Sequence, residues 1–319
     1  MNSRERVHLA LQHREADRVP LDLGAAPTTG MHVSSVYLLR QALHLDPPGT
    51  PVKVVEPYQM LGEIKPDLMD TLGVDVVGLW PQATLFGFRN EGWKPWTLFD
   101  GTPVLVPAAF NTEPEPDGSI LMYPEGDHAA PPSGHMPKDG FYFDSIVRQP
   151  PLDEQALNPE DNLEEFAPIT AGALAYFGQE AARLYAETDK AILANFGGTA
   201  FGDIALVPAP WLKNPRGIRD IAEWYMSTVS RRQYVYRVFE RQCEIALANL
   251  EMIRQAVGNR VSVAFITGTD FGTQRGPFLS PNTYRELYQP FHRRVNDWVH
   301  AHTTWRTFIH TCGGVEPLI

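Results

Sequence analysis

Residues 239–272, FERQCEIALANLEMIRQAVGNRVSVAFITGTDFG, decide the fold. Phe239, Cys243, Ala246, Leu250, Ile253 and Val257 recur at alternating steps of four and three, the stripe of an amphipathic helix, and Gly258 ends the run. A short apolar strand, residues 261–266, comes next. It runs into Thr267-Gly268-Thr269-Asp270-Phe271-Gly272, where an acid sits between two glycines. A helix, then a strand, then a polar loop at the strand's C-terminal end is the repeating unit of a parallel α/β fold.

The same alternation extends outward. Helices are expected over 171–188 and 218–229, with a strand at 191–196 between them. Ser280-Pro281 is a helix start, a capping hydroxyl followed by proline at the first helical position. That helix runs to about residue 300 with a kink near Pro290, and residues 307–310 form a last strand. Towards the N-terminus, Ser3 caps a short helix and residues 19–23 read as a first strand. Helices follow over 34–43 and about 60–72, the second stopped by Gly73. Residues 74–79 form a strand apolar on both faces, as in a doubly covered parallel sheet. Both a (β/α)8 TIM barrel and a doubly wound sheet fit this order of elements.

One stretch departs from it. Residues 103–168 hold 12 of the 28 prolines, so the stretch is neither a long helix nor a central strand. It reads as a hairpin-like insertion, with strands at 102–108 and 119–123, followed by an extended excursion. Its aromatics, Phe110, Tyr123, Phe141, Tyr142 and Phe143, argue against full disorder. The chain is read as a single domain over 1–319 carrying this Pro-rich insertion.

Composition narrows the function. In 319 residues, 27 Lys and Arg face 38 Asp and Glu, for a net charge of −11. Such a chain lacks the basic face that nucleic-acid binding needs, and the polybasic patch of a membrane-surface protein. It has no apolar run of about 18 residues or more, the length that spans a bilayer. The first twenty residues have scattered charges in place of a signal peptide's apolar core. Two cysteines, Cys243 and Cys312, exclude a disulfide scaffold and fit a reducing cytoplasm.

Several residues could carry chemistry. The last strand runs into His310-Thr311-Cys312-Gly313-Gly314. Two residues apart on extended chain, an imidazole and a thiolate project the same way and could both reach one Zn2+. Asp270 could bind a cation, orient a ligand or hold a metal-ligating histidine, and equally could cap its own loop. Arg275, in the same loop, could pair with a carboxylate or phosphate. In Asn195-Phe196-Gly197-Gly198-Thr199, the glycines permit close ligand approach, though no lysine makes a P-loop of them. Gln82 lies past the end of the 74–79 strand, towards the presumed site. Asp75, at its start, reads as structural, and Cys243 as an inert core thiol.

Three blocks together resemble the uroporphyrinogen decarboxylase superfamily. They are Ser3-Arg4-Glu5-Arg6-Val7 through Asp17-Arg18-Val19-Pro20; Thr269-Asp270-Phe271-Gly272-Thr273-Gln274 with Leu279-Ser280-Pro281 and Pro290; and His310-Thr311-Cys312-Gly313. The resemblance implies a (β/α)8 barrel with a central cleft, which selects one of the two folds. True decarboxylases of the family carry an N-terminal arginine cluster, but here Leu21-Asp22-Leu23-Gly24-Ala25-Ala26 has none. Gln82 falls where they have an essential aspartate. The chain is more similar to the cobalamin-dependent methyltransferases, which move a methyl group between a corrinoid protein and a thiol or a folate.

In the thiol-using members, an H-x-C pair and a later cysteine bind zinc. His310 and Cys312 match the pair, and no later cysteine follows. Zinc would make the acceptor a thiolate, able to attack the methyl carbon on cobalt and leave Co(I). The expected function is therefore methyl transfer with a small-molecule methyl donor or acceptor and a corrinoid-binding protein as partners. Asp270, Gln82 and Asn195 are the candidate catalytic residues, and Gly197, Gly198 and Arg275 the cofactor-binding ones. The reading leaves room for a homo-oligomer. One alternative is decarboxylation of uroporphyrinogen or a related polycarboxylate, with Arg18, Arg40 or Arg275 replacing the missing cluster. Another is a non-catalytic module that docks a corrinoid protein. By strand count, residues 307–310 are about the sixth strand, so the barrel is expected to be truncated there or completed by a partner.

Overall fold

Val52 and Val54 lie on one face of a five-residue strand and are buried to 1% and 0% exposure. That strand, β1 (Val52–Glu56), is absent from the sequence-based expectation, and it organises the first half of the chain. The computed structural model describes residues 1–110, 113–164 and 166–318. They fall into two compact units. The first is Met1–Ile146 with Asp189–Ala191 and Pro210–Asn214, and the second is Val147–Thr188, Ile192–Ala209 and Pro215–Ile319.

The first unit holds helices α1 (Ser3–Leu11), α2 (Val33–Ala42) and α3 (Pro66–Leu72). Besides β1 its strands are β2 (Leu61–Gly62), β3 (Val76–Leu79), β4 (Lys94–Thr97), β5 (Pro103–Val106), β6 (Ile120–Met122), β7 (Gly134–Met136) and β8 (Asp144–Ser145). One sheet runs in the order β2-β1-β5-β4, with β1 and β5 parallel and the other pairs antiparallel. A second antiparallel sheet runs β6-β7-β8. The two Pro-rich strands thus form, but each finds another partner: β5 joins β1 and β4, while β6 joins β7. Phe110, Met122, Met136 and Phe143 carry this stretch into the unit's core.

Three sequence expectations change here. Residues 19–23 are not a strand. The main chain of Leu21 is spent on Asp75 instead: its N–H donates to the Asp75 carboxylate at 2.9 Å, and its carbonyl accepts from the Asp75 N–H at 2.8 Å. The helix expected over 60–72 begins only at Pro66, because proline lacks an N–H and disfavours helical backbone in the residue before it. Asn2, rather than Ser3, caps α1, accepting the Glu5 N–H at 2.8 Å.

The second unit holds helices α4 (Ala171–Glu187), α5 (Ile221–Ser230), α6 (Arg232–Val257), α7 (Pro281–Leu287) and α8 (Gln289–His302). Its strands are β9 (Ala191–Asn195), β10 (Val263–Thr267), the short hairpin pair β11 (Gly272–Thr273) and β12 (Gly276–Pro277), and β13 (Arg306–Ile309). The stripe seen in the sequence is buried along α6: Phe239, Cys243, Ala246, Leu250, Ile253 and Val257 are all 0–2% exposed. The larger of these, Phe239, Leu250, Ile253 and Val257, each contribute about 1.5–3 kcal/mol at full burial. The break between α7 and α8 falls at Tyr288, beside the expected kink at Pro290. Residues 316–318 form one 3-10 turn, and Ile319 lies outside the described residues.

In this unit β10 lies between β9 and β13 and runs parallel to both, so the expected α/β class with parallel strands is present. Closure into a TIM barrel is not seen among the described residues. Among them, no helix is long and apolar enough to cross a membrane.

Candidate metal centre

Parallel strands place their C-terminal ends on one side of a sheet, and ligands of α/β folds bind at that side. In the second unit this rule gathers three loops. Asn195 ends β9, Gly268–Asp270 follow β10, and His310–Cys312 follow β13. The register pairs Phe265 with Asn195 on one side and with Phe308 on the other. The His310 N–H donates to the Thr267 carbonyl at 2.9 Å, which extends the β10–β13 ladder to the first candidate ligand.

His310 and Cys312 project to the same side, as extended chain requires: His310 Nε2 and Cys312 Sγ are 3.4 Å apart. Thr311 between them turns the other way, its Oγ1 accepting the Phe271 N–H at 3.0 Å. Asp270 Oδ1 comes to 3.7 Å from His310 Nε2 and accepts the Cys312 N–H at 2.7 Å. The donor atoms of Asp270, His310 and Cys312 all lie within 4.8 Å of one another.

This set fits zinc. With Zn–S about 2.3 Å and Zn–N and Zn–O about 2.0–2.1 Å, tetrahedral coordination separates its donors by roughly 3.3–3.6 Å. Two of the spacings, 3.4 and 3.7 Å, lie close to those values, and the third pair, Asp270 with Cys312, lies within 4.8 Å. One imidazole, one thiol and one carboxylate also leave a fourth position open, the arrangement of catalytic zinc sites. The third donor is Asp270, which the sequence offers as a residue that could bind a cation, orient a ligand or cap its own loop.

The loops are held from behind. The Tyr225 hydroxyl donates to the Asp270 carbonyl, and burial, then Tyr288, Asp270 and Asp203, push its phenol pKa up, so it stays a donor. The buried Thr267 and Thr269 hydroxyls are 2.7 Å apart, and Thr269 Oγ1 donates to the Phe201 carbonyl at 3.1 Å. Burial, and then the Asp270 carboxylate, push the Cys312 thiol up. A bound dication reverses that balance, because it favours both anions.

A second carboxylate faces the same region. Asp203 accepts the Ala205 N–H at 3.0 Å, and burial pushes its carboxyl up to about 6, with the Asp270 charge adding to the shift and His310 opposing it. Sequence reading missed Asp203 and Tyr225. The signal for Asp203 was its place eight residues past the end of β9, in the Gly-rich stretch that follows that strand.

Of the remaining candidates, Asn195 turns its side chain back to accept the Gly197 N–H at 3.1 Å. Gly197 and Gly198 both take positive φ, +72° and +69°, and a Cβ on either would meet open space. Arg275 is exposed at the tip of the β11–β12 hairpin. Gln82 belongs to the first unit and is exposed. Arg18 and Arg40 are committed to ion pairs, Arg18 with Asp75 and Arg40 with Asp46 and Asp67. No protein-family model matches the chain, and no curated protein or solved structure is significantly similar to it.

Proposed function

We propose that the chain is a zinc-binding methyltransferase of the uroporphyrinogen decarboxylase superfamily, with a (β/α)8 barrel, moving a methyl group between a corrinoid protein and a thiol. The observation that supports this reading is the convergence of His310, Cys312 and Asp270 at the C-terminal side of parallel strands. A cytoplasmic setting suits an exposed free thiol at that site. In this reading His310 Nε2, Cys312 Sγ and one Asp270 oxygen hold the ion. Zinc bound there supplies a Lewis acid that keeps an acceptor sulfur deprotonated at neutral pH.

The chain's own residues do the rest. Tyr225 and Thr311 pin the Asp270 loop, the first through its carbonyl and the second through the Phe271 N–H. The Cys312 N–H fixes the Asp270 carboxylate. Gly197 and Gly198 leave space beside Asn195 for a ligand to approach the backbone. A thiol acceptor suits the donor set better than a folate, because the fourth position admits a sulfur directly. The decarboxylase reading loses support from the commitment of Arg18 and Arg40 to internal ion pairs, which removes two of its three candidate arginines.

Metal analysis of the purified protein tests the first part: close to one zinc per chain is expected, falling sharply in Cys312→Ala and His310→Ala. Less than about a tenth of an equivalent, unchanged by Cys312→Ala, ends the metal claim. Methyl transfer from methylcobalamin to a thiol, followed by the corrinoid spectrum, tests the second. A zinc-loaded protein with no transfer to any thiol in the presence of its corrinoid partner favours a docking module instead.

A further inference from the structure

Successive main-chain N–H groups in the loop after β9 go unused. Among the described residues, the N–H groups of residues 198–202 donate to no carbonyl and to no side chain. Three of these residues are buried: Thr199 is 6% exposed, Ala200 8% and Phe201 0%. Folded chains leave very few buried N–H groups unpaired, so a run of them marks a place where something other than protein completes the bonding.

The loop holds those groups in place without consuming them. Thr199 Oγ1 donates to the Ile266 carbonyl on β10, and the Phe201 carbonyl accepts from Thr269 Oγ1 at 3.1 Å. Asn195 Oδ1 accepts the Gly197 N–H at 3.1 Å, which leaves the Asn195 amide nitrogen as a further donor. Room is present where the run begins. Gly197 and Gly198 take φ +72° and +69°, and a Cβ on either would have no neighbour within 4 Å. Successive N–H groups around such glycines form concavities that take anions, and the C-terminal side of parallel strands is where α/β folds bind ligands. The loop's own carboxylate, Asp203, does not fill this role, because it is engaged by the N–H groups of Ala205 and Gly268.

We infer that the loop over residues 197–202 is an oxyanion site, which takes a phosphate or carboxylate group of a ligand on the main-chain N–H groups that follow Gly197. The inference goes beyond methyl transfer and does not depend on the metal. It assigns a negatively charged, oxygen-bearing end to whatever ligand lies on this side of the sheet.

Amide proton–nitrogen correlation spectra of the metal-free protein give the test. Inorganic phosphate and acetate are each titrated in, with sodium chloride as the control for ionic strength. The amides of Gly198 and Thr199 are expected to shift saturably with an oxyanion at millimolar concentration and not with chloride. Tighter binding of phosphate assigns a phosphate-bearing ligand, and tighter binding of acetate a carboxylate-bearing one. Two variants separate charge from shape, because Asp and Asn are the side chains that best tolerate positive φ and the space beside Gly198 is open. Gly198→Asn should bind within about threefold of the wild type, whereas Gly198→Asp sets a fixed carboxylate beside the N–H groups and should bind at least about tenfold more weakly. Wild-type amides that do not shift, shifts that chloride reproduces, or equal affinities in the two variants overturn the inference. The metal reading stands or falls separately, on zinc content.

Discussion

The main-chain N–H of Cys312 donates to Asp270 Oδ1 at 2.7 Å, across 42 residues of sequence. One loop thereby orients the carboxylate of the other. The bond is charge-assisted and uses one lone pair of the carboxylate, leaving the rest for a cation.

Two substitutions separate the structural from the ligating share of Asp270. Asp270→Asn keeps an oxygen that can accept from Cys312 but removes the charge. It should weaken zinc binding at least about 10- to 100-fold with little effect on stability. Asp270→Ala also loses the loop tie and should cost about 1–2 kcal/mol in addition. Chelator competition and urea unfolding measure the two. Zinc affinity in Asp270→Asn equal to that of the wild type assigns the carboxylate to the loop alone.

The site was more legible than the fold around it. His310 and Cys312 could be paired from their spacing because period-two projection is local. Asp270 stood out for its position after a strand, yet its approach to them depends on β10 and β13 lying side by side, a contact between segments some forty residues apart. Asp203 needed a third segment as well. In the fold, the α6 stripe was readable because helical period needs no partner. Residues 52–56 alternate too, but Pro47, Pro48 and Pro51 stand just before them and mask the strand. The alternation at residues 19–23 pointed the other way, and Asp75 took the hydrogen bonds a ladder would have used.

Asp75 also anchors the first unit. It is fully buried and accepts from Arg6 Nη1 at 2.6 Å and from Arg18 Nη1 at 2.7 Å. Asp75→Ala leaves the buried Arg6 guanidinium with the more exposed Asp17 as its one remaining carboxylate partner among the described residues, beside the Met1 carbonyl. Losing one member of such a buried network costs about 3–5 kcal/mol. Urea midpoints should show a loss of that size. A loss under about 1 kcal/mol would place the network among weakly coupled surface pairs.

Two buried groups give the units opposite responses to pH. Burial pushes the imidazole of His292, in the second unit, down to about 4 from 6.5. Folded, it resists protonation, so its contribution is complete above 6.5 and is lost as pH falls towards 4. Burial pushes the carboxyl of Glu56, in the first unit, up to about 7 from 4.5, against the pull of the Gln59 and Tyr58 N–H groups. Its contribution is complete below 4.5 and is lost as pH rises towards 7. Each change is on the order of 3 kcal/mol at most. His292→Phe should flatten the acid limb of the stability profile, and Glu56→Gln the neutral limb. Unchanged slopes in either variant refute the corresponding assignment.

Gly313 and Gly314 look alike in sequence and should differ sharply under substitution. Gly313 has φ +90°, and a Cβ there would meet Gly272 C at 2.3 Å, Gly272 O at 2.4 Å and Thr273 N at 2.7 Å, all backbone atoms that cannot swing aside. At Gly314 the nearest atom, the Gly276 Cα, is 3.5 Å away, an ordinary contact. Gly313→Ala must therefore push the loop carrying Cys312 off the β11–β12 hairpin, and with it loosen the bond from Cys312 N to Asp270. Zinc affinity should fall by about tenfold or more in Gly313→Ala and stay within about twofold in Gly314→Ala. If the two variants bind zinc alike, the close packing of this loop on the hairpin is not what holds the thiol in place.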